Sequence, residues 1–126
     1  IEFYGSVSHS VRAIYSGLIG WYDGNPVELN RLHPRDEAKK VVRLAGGVKK
    51  FEKKTRAAMK EGDFQWALEL ADHLKWMGKA ERESARDIKI SALRSLAAQE
   101  YNAPNRNYYL SYAIELESGK LDDVWF

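Results

Sequence analysis

Three histidines, His9, His33 and His73, are the side chains best able to bind a metal or move a proton, and none has a helper at useful spacing. No His-x-His or His-Glu-x-x-His pair occurs, and a zinc site needs three or four converging ligands that this sequence does not cluster. His73 follows Glu69 by one helical turn and adjoins Asp72, so it reads as a surface hydrogen-bonding residue. His33 stands before Pro34 and reads as a helix-start residue. Ser6, Ser8 and Ser10 flank His9, but neighbours one or two positions apart do not face each other, and Ser8 is better suited to capping a helix. Gly17 and Gly20 lack the Lys-Ser/Thr partner of a phosphate loop. The carboxylate pairs Glu115/Glu117 and Asp122/Asp123 read as solvated surface. The sequence spells no complete catalytic constellation.

The bulk numbers narrow the partners. The 126 residues suit one domain, with 44% hydrophobic and 30% charged residues, an ordinary globular balance. Twenty basic and 18 acidic side chains leave a net charge of +2, too even to argue for nucleic acid or an anionic membrane as the main partner. Without cysteine there is neither a disulfide framework nor a thiolate metal site, and the compartment stays open, periplasm and cytoplasm both fitting. The longest uncharged stretch, Ala13 to Tyr22, is too short to span a bilayer. The chain starts at Ile1 rather than Met and ends in the apolar Val124-Trp125-Phe126, so the expectation is a piece of something longer.

The elements that would position these residues are helices. The three prolines, Pro26, Pro34 and Pro104, fall between helical patterns, where a residue without an N–H donor is tolerated. Val11, Ile14, Tyr15, Leu18 and Tyr22 predict a first helix over about 8–22, stopped by Asp23-Gly24-Asn25-Pro26. Pro34 opens a second, with Asp36 and Glu37 in its first turn, an apolar stripe of Ala38, Val41, Val42 and Ala45, and Gly46-Gly47 as its stop. The third, about 48–60, sets Val48, Phe51, Thr55 and Met59 on one side, while its Lys- and Arg-rich other side reads as a solvated face. After Gly62, Asp63 is placed to cap a fourth helix whose apolar face holds Phe64, Trp66, Ala67, Leu70, Ala71, Leu74 and Met77. A fifth is expected over about 80–99, with Ala85, Ile88, Ala92, Leu93 and Leu96, and a sixth over about 105–118, with Tyr109, Ala113 and Leu116. No strand-like alternation persists beyond the first few residues.

The fold class is therefore all-α, a bundle of about six helices. The segment Glu61-Gly62-Asp63-Phe64-Gln65-Trp66-Ala67 and the helix after Gly78 resemble a helical hairpin of the tetratricopeptide kind, in which a small residue such as Ala67 or Ala71 lets two helices approach closely. One such unit cannot cover its own apolar faces. Four Trp, seven Tyr and four Phe are more aromatic surface than a core this size needs, and the surplus points to contact with another chain or domain.

Tyr4-Gly5-Ser6-Val7-Ser8-His9-Ser10-Val11-Arg12-Ala13-Ile14-Tyr15, followed by Gly20-Trp21-Tyr22-Asp23-Gly24-Asn25-Pro26, closely resembles the start of the alkyl sulfatase dimerisation domain. The likeness continues through Gly62-Asp63-Phe64-Gln65-Trp66-Ala67, Ala85-Arg86 and Ala92-Leu93. It ends in Asn102-Ala103-Pro104-Asn105-Arg106-Asn107-Tyr108-Tyr109-Leu110 and Glu115-Leu116. The blocks cover nearly the whole chain in the family's order. Asn105, where an aromatic is usual, and Tyr112, where a small residue is usual, depart from it.

The resemblance implies that residues 1–126 are the helical dimerisation domain of a multidomain hydrolase. Its metallo-β-lactamase-like catalytic domain would hold two zinc ions and cleave alkyl sulfate esters. A sterol-carrier-like domain would follow, and the subunits would pair as a homodimer. The zinc-binding His-x-His-x-Asp-His motif of that family does not occur in this sequence. By the same resemblance His9, with Trp21 or Tyr22 and Arg12, would face the sulfate end of the substrate, and the segment itself would not be catalytic. The alternative is a helical-repeat adaptor that binds peptides on a concave face.

Overall fold

The computed structural model describes residues 24–119. The expected first helix over about 8–22 lies outside them. The chain divides between His33 and Pro34. Before that division, the Asn-Pro turn continues into a short 3-10 turn, Pro26–Glu28, where the Asn25 carboxamide accepts a hydrogen bond from the Val27 N–H at 3.2 Å.

After it come five α-helices: α1 (Pro34–Leu44), α2 (Val48–Lys60), α3 (Phe64–Leu74), α4 (Lys79–Gln99) and α5 (Ala103–Ser118). The expected boundaries at Pro34, Gly46-Gly47 and Gly62 are met. Both glycine stops are Schellman motifs. Gly46 (φ 105°) donates to the Arg43 carbonyl and Gly47 to that of Val42; Gly62 (φ 79°) donates to Met59 and Asp63 to Ala58. A left-handed φ at both Gly46 and Gly62 is what ends each helix one turn before the next begins.

Two expectations at helix starts are corrected. Asp63 stands at the N-terminus of α3, but its side chain makes no capping hydrogen bond; its carbonyl accepts from the Ala67 N–H instead. α5 starts at Ala103 rather than near Asn105. The Asn102 carboxamide accepts from the Asn105 N–H at 3.1 Å, and Pro104 sits inside the first turn, where its missing donor would be unpaired in any case.

Two clusters make the core. In the first, Val42 of α1, Phe51 and Ala58 of α2, Ala67, Leu70, Ala71 and Leu74 of α3, and Ala85 and Ile88 of α4 pack together. Ala67, Ala71 and Ala85 are fully buried, so alanine on both arms of the α3–α4 hairpin lets the helices come close, as the sequence predicts. Thr55, also fully buried, donates its hydroxyl to the Phe51 carbonyl at 2.9 Å, which satisfies the one polar atom it brings into the core. The hairpin arms are unequal, 11 and 21 residues, and the overhang of α4 carries the second cluster, Leu93 with Ala113 and Leu116 of α5. Tyr109 and Tyr112 pack against this second cluster from one side of α5.

Candidate functional site

The hairpin brings together charges that the sequence keeps apart. α3 supplies Asp72, the residue that closes α3 supplies Lys75, and the middle of α4 supplies Lys89. Both ammonium groups stand 2.8 Å from the same oxygen, Asp72 Oδ1. The lysine side chains are buried, 2% and 3% exposed, whereas Asp72 is 50% exposed. Lys75 Nζ also lies 5.5 Å from the centre of the Trp76 ring.

Burial alone would raise the Asp72 carboxyl. The charge of Lys89, hydrogen bonds from both lysines and the charge of Lys75 outweigh that and hold it below its ordinary value of 3.8. A carboxylate so held stays ionised and is a poor proton acceptor. Its work is to neutralise two buried cations and tie α3 to α4.

Lys75 and Lys89 are both residues that sequence reasoning missed; for Lys89 the position itself is telling. A signal existed: it lies four residues after Ala85 and four before Leu93, on the apolar face of α4 rather than the solvated one. The long aliphatic stem of lysine tolerates that position when its head finds an anion.

Beside this triad runs a groove of about 540 Å³. Leu68 and Leu93 line its apolar part, Tyr108, Tyr109 and Tyr112 one wall, and Glu69, Asp72 and His73 its polar edge. His73 does not make the surface hydrogen bond expected of it. Its ring meets Phe51 edge-on, centroids 6.4 Å apart, while Glu69 accepts from Gln65 and Asp72 from the lysines. Among the described residues no three His, Asp or Glu side chains converge to hold a metal ion.

Part of the aromatic surplus does reach the surface. Trp66, expected on the buried face of α3, is 51% exposed, and Tyr108 and Tyr101 are 70% and 97% exposed. Trp66 falls on the shoulder of the helix, about 100° round from Ala67, which takes the buried position. No helix among the described residues is long and apolar enough to cross a membrane.

His9, Arg12, Trp21 and Tyr22, the residues expected to face a sulfate group, lie outside the described residues.

A sequence profile described as "Alkyl sulfatase dimerisation" matches residues 1–119. The chain belongs to the alkyl sulfatase dimerisation family. It is 41% identical over 121 residues to a linear primary-alkylsulfatase of Pseudomonas sp., matching 96% of this chain and 22% of that protein. It is 38% identical over 118 residues to an (R)-specific secondary-alkylsulfatase of Pseudomonas sp., over 94% of this chain and 18% of that one. An alkyl/aryl-sulfatase of Saccharomyces cerevisiae is 35% identical over 117 residues, 93% of this chain and 18% of its own length. Among solved structures, a stereoselective inverting sec-alkylsulfatase from Pseudomonas sp. superposes with a TM-score of 0.72 at 36% identity, covering 94% of this chain and 18% of the other. This alkyl sulfatase dimerisation segment thus spans about a fifth of the length of the curated relatives it matches.

Proposed function

We propose that this segment joins two subunits of a longer enzyme that hydrolyses alkyl sulfate esters, the bond breaking being done by another part of the same polypeptide. The observation that carries this reading is the family match over residues 1–119, within proteins about five times as long that are named alkylsulfatases. The exposed aromatic side chains Trp66, Tyr101 and Tyr108 support it, because large aromatic surfaces are enriched where chains meet. Pairing about a two-fold axis would use the same patch on both copies.

In this reading the parent carries a metallo-β-lactamase-like domain with two zinc ions and a sterol-carrier-like domain. The described residues offer no ligand set for zinc, so the ions would be held elsewhere, and no step of subunit pairing runs through them. His9, Arg12, Trp21 and Tyr22 are assigned to the sulfate end of the substrate: imidazole, guanidinium, indole and phenol groups can all donate hydrogen bonds to an anionic ester.

Analytical ultracentrifugation tests the pairing directly. The chain at micromolar concentration is expected to sediment at twice its 14.5 kDa. A single monomeric species at that concentration, and still at a tenfold higher one, would sink the proposal.

A further inference from the structure

Charge is spread very unevenly along this chain. α2 carries Lys49, Lys50, Lys53, Lys54, Arg56 and Lys60 against Glu52 alone, a net +5, whereas the whole chain is only +2, so all other residues together carry −3. Phe51, Thr55 and Ala58 turn inward. On the far side Lys49, Lys53, Arg56 and Lys60 recur at steps of four, three and four residues and form one exposed ridge. Glu52 is answered within it: the carboxylate accepts from Arg56 at 3.2 Å. Within the described residues Lys49, Lys53 and Lys60 have no acidic partner. Ala57, small and exposed between them, leaves a shallow trough of about 510 Å³ along the ridge.

We infer that this ridge docks on the surface of an assembly of anionic amphiphiles, the form in which long-chain sulfate esters present themselves. The identity of that surface rests on the sulfate-ester reading above. Two features favour an array of headgroups over an acidic protein. Three of its four basic groups are lysine, a strongly hydrated point charge that is depleted at protein–protein interfaces, Arg56 is taken up with Glu52, and the ridge offers no aromatic or large aliphatic anchor. Its charges lie along one line on the exposed side of a single helix, which suits a plane of negative headgroups.

Flotation of the chain with lipid vesicles tests this. The chain is expected to float with phosphatidylcholine vesicles containing 30 mol% phosphatidylglycerol and not with phosphatidylcholine alone. The triple variant Lys49→Gln, Lys53→Gln, Lys60→Gln should lose about 100-fold in partitioning, at roughly fivefold per basic residue near the surface. The equally charged control Lys39→Gln, Lys40→Gln, Lys79→Gln, on α1 and α4, should lose less than about fivefold, because those charges lie off the ridge. Circular dichroism of both variants checks that the helices persist. Raising salt from 0.1 to 1 M shortens electrostatic reach from about 10 to 3 Å and should release the wild type. No flotation, or equal loss in both triple variants, overturns the inference. So does displacement by polyglutamate at equal charge, which would give the ridge to an acidic protein. Sulfate release by the parent is a separate readout: vesicle binding can fail with the sulfatase reading intact, and the reverse.

Discussion

Lys89 Nζ lies 2.8 Å from Asp72 Oδ1 across the α3–α4 hairpin, a buried ammonium on the apolar face of one helix held by a half-exposed carboxylate on the next. Lys75 uses the same oxygen, so Asp72 faces two buried cations while each lysine shares one carboxylate.

That asymmetry predicts unequal substitutions. Asp72→Asn takes a shared carboxylate from two buried ammonium groups and should cost about 2–3 kcal/mol, at or below the low end for a fully buried pair because the carboxylate is half exposed. Lys89→Met leaves Asp72 with Lys75 and with water, and should stay within about 1 kcal/mol of wild type. Urea unfolding measures both; equal losses would show that the pairing is not shared in this way.

Acid should remove the same contribution. The Asp72 carboxyl is held below its ordinary 3.8, so its stabilisation is fully present above that value and disappears as pH falls through the lower, folded-state value. The stability gap between wild type and Asp72→Asn should therefore be flat from pH 7 to about 5 and close at lower pH. A gap that widened on acidification would contradict the assignment.

Gly62 sits at φ 79° with open space where a Cβ would project, so a larger residue there meets backbone strain and no clash. Gly62→Ala should cost about 1 kcal/mol with no change in the helix content of the folded state, read by thermal melting with circular dichroism.

Ala71 is fully buried in the first cluster, where α3 meets its neighbours. Ala71→Leu forces α3 and its neighbours apart and should destabilise by about 1–3 kcal/mol, whereas Ala57→Leu on the exposed side of α2 should be near neutral. Denaturant midpoints of the two variants separate packing from general tolerance.

Tyr108 is 70% exposed, so Tyr108→Ala should leave the stability of a single subunit nearly unchanged. As part of the aromatic surface assigned to pairing, it should raise the dimer dissociation constant about tenfold or more, measured by sedimentation across a concentration series.

Helix order and stops were legible because glycine and proline punctuate them: Gly46, Gly62 and Pro34 act in the structure as their chemistry requires. Pro104 misled for the same reason, since proline is also tolerated in a first turn, and only the Asn102 cap shows that α5 has already begun. Trp66 followed the rule that large apolar residues turn inward, but neighbouring Ala67 already held the inward position. The triad went unread: Asp72 and Lys75 stand three residues apart at the end of one helix, and the second lysine arrives from another helix, which no local pattern reveals. The family was legible from motif order, whereas His9, Arg12, Trp21 and Tyr22 lie outside the described residues.

α4 runs 21 residues, roughly 31 Å, and takes part in both oily clusters, giving Ala85 and Ile88 to one and Leu93 to the other. A single unbroken rod shared this way is a mechanical coupling: neither cluster can loosen without bending the beam that supports the other. Amide protons along its whole length should then exchange with deuterium in one cooperative opening.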